Sequence, residues 1–195
     1  MSAIYAATNE DLAVLAEQFG LPEEAPRLRE WAREFRDGVD ATVDGRTGLA
    51  RDRDVLTGEW IGPPTMAGFA PLISTNDQAL LDRQLEVFEG PDWTGDPRLA
   101  FPLPASTSTT YEGLKPRQYW RGPVWPVMNW YLAHCLRRRG DEKRYRQLRE
   151  ASLAQLMEGH FGEYYEPFTG EPLGSMDQSW TAAVALEWLA DPGNG

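Results

Sequence analysis

The chain of 195 residues has one cysteine, Cys135, and only two histidines, His134 and His160. A lone thiol excludes an intramolecular disulfide and fits a reducing compartment, so a cytoplasmic location is expected. Three soft donors at irregular spacing do not make a structural zinc site, and neither metal nor other cofactor is expected. Basic residues are also scarce: 19 Lys and Arg stand against 30 Asp and Glu, a net charge of −11. That balance repels phosphate backbones and anionic lipid, so neither nucleic acid nor a membrane is an expected partner. No run approaches the ~18 apolar residues of a membrane span, and the first fifteen residues lack the basic start and apolar stretch of a secretory signal.

What the chain does contain is helical periodicity. Thr8, with Asp11 three residues on, predicts a helix start, followed by an apolar face of Leu12, Leu15, Ala16 and Phe19 and a stop at Gly20 and Pro22. A charged amphipathic helix is expected over 26–39, with Leu28, Trp31, Ala32, Phe35 and Val39 as its stripe. Residues 40–64 lack a period; Asp44-Gly45-Arg46-Thr47-Gly48 reads as turns beside short strands. TMAGFAPLI, 65–73, is apolar enough for a buried inner helix that Pro71 kinks or ends. Thr75 with Gln78 predicts the next start, leading into Leu80, Leu81, Leu85 and Phe88. A long Pro- and Ser/Thr-rich loop covers 90–118, and helices are expected over 123–139, 141–158 and 179–189, the last capped by Ser179. Charged helices thus alternate with nearly apolar ones, an all-α array of outer and inner layers, with no repeat of fixed length.

Three segments carry chemistry. In Gln118–Trp130, three Trp accompany Arg121 and Asn129 at a loop-to-helix junction. Indole faces match the C–H face of a sugar, and a guanidinium suits hydroxyls or a carboxylate. The same composition also reads as a Trp-rich core. In Phe161–Gly174, Glu163, Glu166 and Glu171 sit among aromatics, and Glu163, flanked by Gly162 and Tyr164, is the best placed to move a proton. Gln178-Ser179-Trp180-Thr181-Ala182-Ala183 opens the last helix and is a weak signal alone.

YWRGPVWPVMNW, GEYYEPFTGEPLG and QSWTAA, in that order, resemble the carboxyl-terminal signature of glycoside hydrolase family 63, in its mannosylglycerate/glucosylglycerate hydrolase branch, with trehalases more distant. The resemblance covers about residues 8–190. It implies that 1–195 forms the carboxyl-terminal part of an (α/α)6 toroid and that the reaction is hydrolysis with inversion. It implies Glu163 as the general base. It implies Trp120 and Trp125 as aromatic pocket residues, with Arg121 between them, and Gln178 and Trp180 as further substrate contacts. Asn129 and Tyr119 lie in the same motif. The implied substrate is a small carbohydrate such as a glycosylglycerate.

One departure stands out. The family's general acid is an aspartate in a motif resembling Ser-Pro-Arg-Trp-Asp, and no such motif occurs in this sequence. Asp96-Pro97-Arg98 echoes it superficially, in the wrong place. The chain is therefore expected to be a partial toroid that begins after the acid-bearing loop and is inactive alone. Exposed inner helices, TMAGFAPLI among them, would make it self-associate or bind an amino-terminal half. The alternative reading is a non-catalytic carbohydrate-binding or interaction module. A third, a terpenoid cyclase-like toroid, lacks the aspartate-rich motif it would need.

Overall fold

A computed structural model describes residues 1–157 and 160–191. It is mainly helical. In chain order the helices are α1 (Ser2–Gln18), α2 (Ala25–Asp40), α3 (Pro71–Ser74), α4 (Gln78–Phe88), α5 (Pro126–Arg138), α6 (Glu142–Met157) and α7 (Ser179–Ala190). Two antiparallel hairpins interrupt them, β1 (Asp52–Arg53) with β2 (Trp60–Ile61) and β3 (Tyr164–Tyr165) with β4 (Pro172–Leu173). The chain divides into two compact units, Met1–Gly62 with Ala67–Leu85, and Pro63–Met66 with Glu86–Gly195.

In the first unit α1 packs along α2 through small side chains. Ala3, Ala6, Ala7 and Ala13 are buried on one helix, Ala25 and Ala32 on the other. The helix start expected at Thr8 is overturned: α1 begins at Ser2, and Thr8 lies inside it. The alanine-rich opening SAIYAA favours helix without a cap. The expected face is corrected as well, because Leu12, Leu15 and Phe19 are exposed. Alanine lets two backbones approach closely, and that fit outweighs side-chain size. From α2, Arg29 donates two hydrogen bonds to Glu17 on α1, and Arg36 pairs with Glu10.

TMAGFAPLI is buried as expected, with Phe69, Leu72 and Ile73 in the core, so it does not form the exposed apolar patch anticipated for it. Its form differs from one helix. A 3-10 turn spans Met66–Phe69, and Pro71 opens α3 instead of ending a helix. A proline donates no N–H and suits a first turn. The cap of α4 is Asp77, whose Oδ1 accepts from the Ala79 and Leu80 amides, while the Thr75 hydroxyl donates to Asp40. Gln84, fully buried on α4, donates to the Gly48 and Gly68 carbonyls at 2.6 and 3.0 Å.

One turn recurs three times, at residues 44–49, 54–59 and 166–171, with the pattern acid-x-x-Thr-Gly. In each, the acidic side chain accepts backbone amides two or three residues on: Arg46 for Asp44, Leu56 and Thr57 for Asp54, Phe168 and Thr169 for Glu166. The Thr hydroxyl accepts from the residue two further on. The glycine amide donates to the carbonyl of the acidic residue, and Gly48, Gly58 and Gly170 have φ of 72–74°. Glycine enters this left-handed region without a Cβ penalty.

In the second unit α5, α6 and α7 pack together. Arg144 on α6 bridges Glu89 and Asp141, Arg149 donates to the Trp188 carbonyl, and Arg137 pairs with Asp191 at the end of α7. The expected helix end at Glu158 and loop start at Gly159 lie outside the described residues. The long Pro-rich segment is ordered by the core: Ser106–Thr109 are buried, Thr107 bridges Thr65, and Ala105 bridges Val124. The cap of α7 is Gln178, whose side chain accepts from the Ser179 amide, and not Ser179. Among the described residues no helix is long and apolar enough to cross a membrane.

Candidate active site

The two motif segments meet through one residue. Val124 exchanges both backbone hydrogen bonds with Tyr165 of β3, at 2.8 and 2.9 Å. This sets the turn before α5 against the β3–β4 hairpin. The turn is clamped from behind, because Lys115 donates to the Arg121 carbonyl and Gly122 donates to the Ser106 hydroxyl. A Cβ at Gly122 would lie 2.6 Å from the Lys115 carbonyl oxygen, so only glycine fits there.

An aromatic wall results. The Trp120 and Trp125 rings lie parallel, 3.8 Å apart, and Tyr164 covers Trp125 at 4.8 Å. Trp180, from the first turn of α7, meets Trp125 edge-on at 6.0 Å. Tyr119 meets Trp125 and Tyr164 edge-on at 5.0 and 5.7 Å. Tyr119 has φ 43°, a left-handed backbone that costs a non-glycine residue ~1–2 kcal/mol. Its carbonyl accepts from the Trp125 indole.

These aromatics divide into two kinds. Trp120, Tyr119 and Trp180 are 41%, 50% and 38% exposed, and can offer surface to a ligand. Trp125 is fully buried, so its part is to prop the Trp120 ring from behind. Asn129, one helical turn after Trp125, is also fully buried, and neither side-chain polar atom has a hydrogen-bond partner among the described residues. Arg121 is exposed and only weakly engaged, 3.4 Å from the Gln118 side-chain oxygen. The Gln178 side-chain oxygen accepts from the Ser179 amide at the start of α7, and the Gln178 backbone amide donates to the Phe161 carbonyl.

Glu163 precedes β3 and is half-buried. Its amide donates to the Ser175 carbonyl, and its Oε2 accepts from the Ser175 amide at 3.2 Å. No protein group among the described residues bonds Oε1. The hairpin register pairs Tyr164 with Leu173, so Glu163 faces Gly174. Neither Gly174 nor Ser175 stood out in the sequence. The signal was the Thr169-Gly170 turn, which fixes that register once the turn is recognised.

The neighbouring carboxylates are committed. Glu166 is buried and caps its own turn, and Glu171 forms a paired contact with Arg117 that holds its pKa below the usual value. Asp96 is buried and gripped by Arg98, whose hydrogen bonds hold its carboxyl well below the ordinary range. Both carboxylate oxygens are taken up by Arg98, so the echo of the acid motif is an ion pair within its own turn. No group of three or more His, Cys, Asp or Glu that could hold a metal occurs among the described residues.

Three exposed rings, from the turn before α5 and the start of α7, thus gather with Trp125 and Tyr164, and Tyr164 follows Glu163 in the chain. Residues 1–181 match the family described as the mannosylglycerate hydrolase MGH1-like glycoside hydrolase domain, and the chain belongs to that family. It is 47% identical over 194 residues to a glucosylglycerate hydrolase of Mycolicibacterium hassiacum, covering 96% of this chain and 43% of that protein. Its fold is similar to the crystal structure of a family 63 mannosylglycerate hydrolase from Thermus thermophilus in complex with glucose, with TM-score 0.84 and 34% identity over 96% of this chain and 46% of the other. The same enzyme in complex with Tris and D-glycerate gives TM-score 0.83 at 32% identity, over 96% and 44%. The chain thus spans less than half the length of these relatives.

Proposed function

We propose that this chain is the base-bearing part of an inverting glycoside hydrolase acting on a small glucoside or mannoside of glycerate, within an (α/α)6 toroid of which it forms the carboxyl-terminal part. The observation that carries this reading is the state of Glu163: one carboxylate oxygen is tied to the Ser175 amide and the other is left for a water. In an inverting site the base deprotonates that water as it attacks the anomeric carbon, while an acid about 6.5–9.5 Å away protonates the leaving oxygen. Trp120, Trp180 and Tyr119 hold the sugar ring, Trp125 and Asn129 support that wall, and Arg121 and Gln178 supply polar contacts at its edge. Glu166, Glu171 and Asp96 are committed to other contacts, and on this reading the acid comes from the part of the toroid that this chain does not supply.

The test uses a chimera in which this chain replaces the matching part of the Mycolicibacterium hassiacum glucosylglycerate hydrolase. Glu163→Gln should lower kcat by ~10²–10⁴ while calorimetry shows glucosylglycerate still bound. Retention of turnover within tenfold would sink the assignment. The chain alone should show no turnover.

A second reading, a carbohydrate-binding module without catalysis, is favoured by the three exposed rings. It requires the isolated chain to bind the glycoside and the Glu163→Gln chimera to keep its activity.

A further inference from the structure

Gly174 faces Glu163 across the hairpin. Gly174 has φ +73°, and a Cβ built there would lie 2.7 Å from Glu163 Oε2, 2.9 Å from Glu163 Cβ and 2.6 Å from the Tyr164 ring carbon Cε1. All three are closer than real Cβ contacts allow. The carboxylate therefore lies in the space that any other residue's side chain would take. The next residue, Ser175, supplies the amide that holds Oε2. Backbone shape and a missing side chain thus fix one oxygen and present the other.

We infer that Gly174 is a positioning residue for Glu163, the empty cross-strand site that seats its carboxylate on the Ser175 amide. This rests on the reading of Glu163 as the base. The geometry itself stands whether or not that reading does. A Cβ at Gly174 pushes the carboxylate off Ser175 and turns Oε1 away from the water it would deprotonate. A misplacement of about 1 Å in such a group costs ~10²-fold in turnover.

A suitable control is Gly140, which has nearly the same backbone, φ +75°, and nothing within 4 Å of its Cβ position. Gly140→Ala carries the backbone strain without the collision. The measurement is the ¹⁵N–¹H signal of the Ser175 amide in the full chain, followed as pH crosses the carboxylate range. The signal should move with pH in the native chain and in Gly140→Ala. It should stay flat in Glu163→Gln and in Gly174→Ala. A Gly174→Ala signal that titrates as in the native chain overturns the inference, because the Tyr164 ring would then have yielded instead.

A double-mutant cycle reads the same contact through stability. Gly174→Ala should lower Tm less in a Glu163→Ala background, by at least ~2 °C, and additive effects also overturn the inference. In the active chimera, Gly174→Ala should lower kcat ~10²-fold with KM little changed. If the amide signal goes flat in Gly174→Ala but Glu163→Gln keeps its turnover, the seat is real and the base assignment fails.

Discussion

The Trp120 and Trp125 indoles are stacked, with 3° between their planes and 3.8 Å between centroids, yet one ring is 41% exposed and the other fully buried. Trp125 is sandwiched, with Trp120 on one face and Tyr164 on the other. The two residues should therefore fail differently when truncated. Trp125→Ala opens a cavity under the wall and should cost ~3–5 kcal/mol of unfolding free energy. Trp120→Ala removes a half-exposed ring and should cost under ~1.5 kcal/mol, the size of one aromatic pair. Sugar binding should be lost in both. Urea unfolding and calorimetry on the two variants separate the supporting ring from the contacting one.

Asp96 gives the fold an acid dependence whose sign is fixed. The Arg98 hydrogen bonds depress the Asp96 pKa below its ordinary 3.8, and the backbone amide of Arg46, then Arg51, bring Asp44 to about 2. A depressed carboxylate contributes stability that is present above its unfolded pKa and lost as pH falls through the folded value. The urea midpoint should therefore be flat from pH 7 to about 5 and fall below pH ~4. Asp96→Asn should lower the unfolding free energy at pH 6 by ~1–3 kcal/mol for a charge-assisted contact, and should weaken the fall at low pH. A variant with the native acid slope would show that other groups set it.

The existence of the helices was legible from period, and their buried faces only in part. The apolar 65–73 segment does bury Phe69, Leu72 and Ile73, but of the 26–39 stripe only Ala32 is fully buried, Leu28, Trp31 and Val39 are half-buried and Phe35 is exposed. The last helix buries Val184, Ala185 and Trp188 and leaves Leu186 and Leu189 exposed. The α1 face was misread because alanine carries little hydrophobic signal, although Ala3, Ala6, Ala7 and Ala13 make its seam. The site was legible in residue type and not in role. Trp120 and Trp125 look alike in the sequence, and only a ring stacked on each face distinguishes the buried one. Gly174 was silent because its contribution is an absent side chain, and an absence gains meaning only against a known neighbour. Asp44–Gly48 was legible as a turn, but the acid-x-x-Thr-Gly pattern that it shares with two others was not, because they fall at unequal spacing and one of them substitutes Glu for Asp.

Those turns should differ in weight although they share a design. Glu166 is buried and its carboxylate accepts two amides, whereas Asp54 does the same, only partly covered, in a largely exposed hairpin. Glu166→Ala should cost ~1–3 kcal/mol, since two amides lose a charged acceptor away from water. It should also perturb the near-ultraviolet dichroism of the aromatic wall through Tyr165. Asp54→Ala should leave both stability and spectrum almost unchanged, because water replaces the carboxylate. Equal losses at the two positions would show that the local turn, and not its burial, sets the cost.

Gln84 makes the same point inside the first unit. Its amide nitrogen joins the Gly48 carbonyl, at the end of one such turn, to the Gly68 carbonyl, while its own side-chain oxygen is buried without a partner among the described residues. Gln84→Leu removes that unpaired oxygen but strands the Gly48 carbonyl. The Gly68 carbonyl keeps the Ala50 amide. One buried acceptor left dry costs ~1–3 kcal/mol, against a gain from burying a leucine of similar size. The net effect should be a loss of about 1–2 kcal/mol, with faster hydrogen exchange at Asp44, whose amide is bonded to the Leu49 carbonyl across the turn that Gln84 secures. A Gln84→Leu variant as stable as the native chain, with Asp44 exchange unchanged, would show that the turn holds itself without the helix behind it.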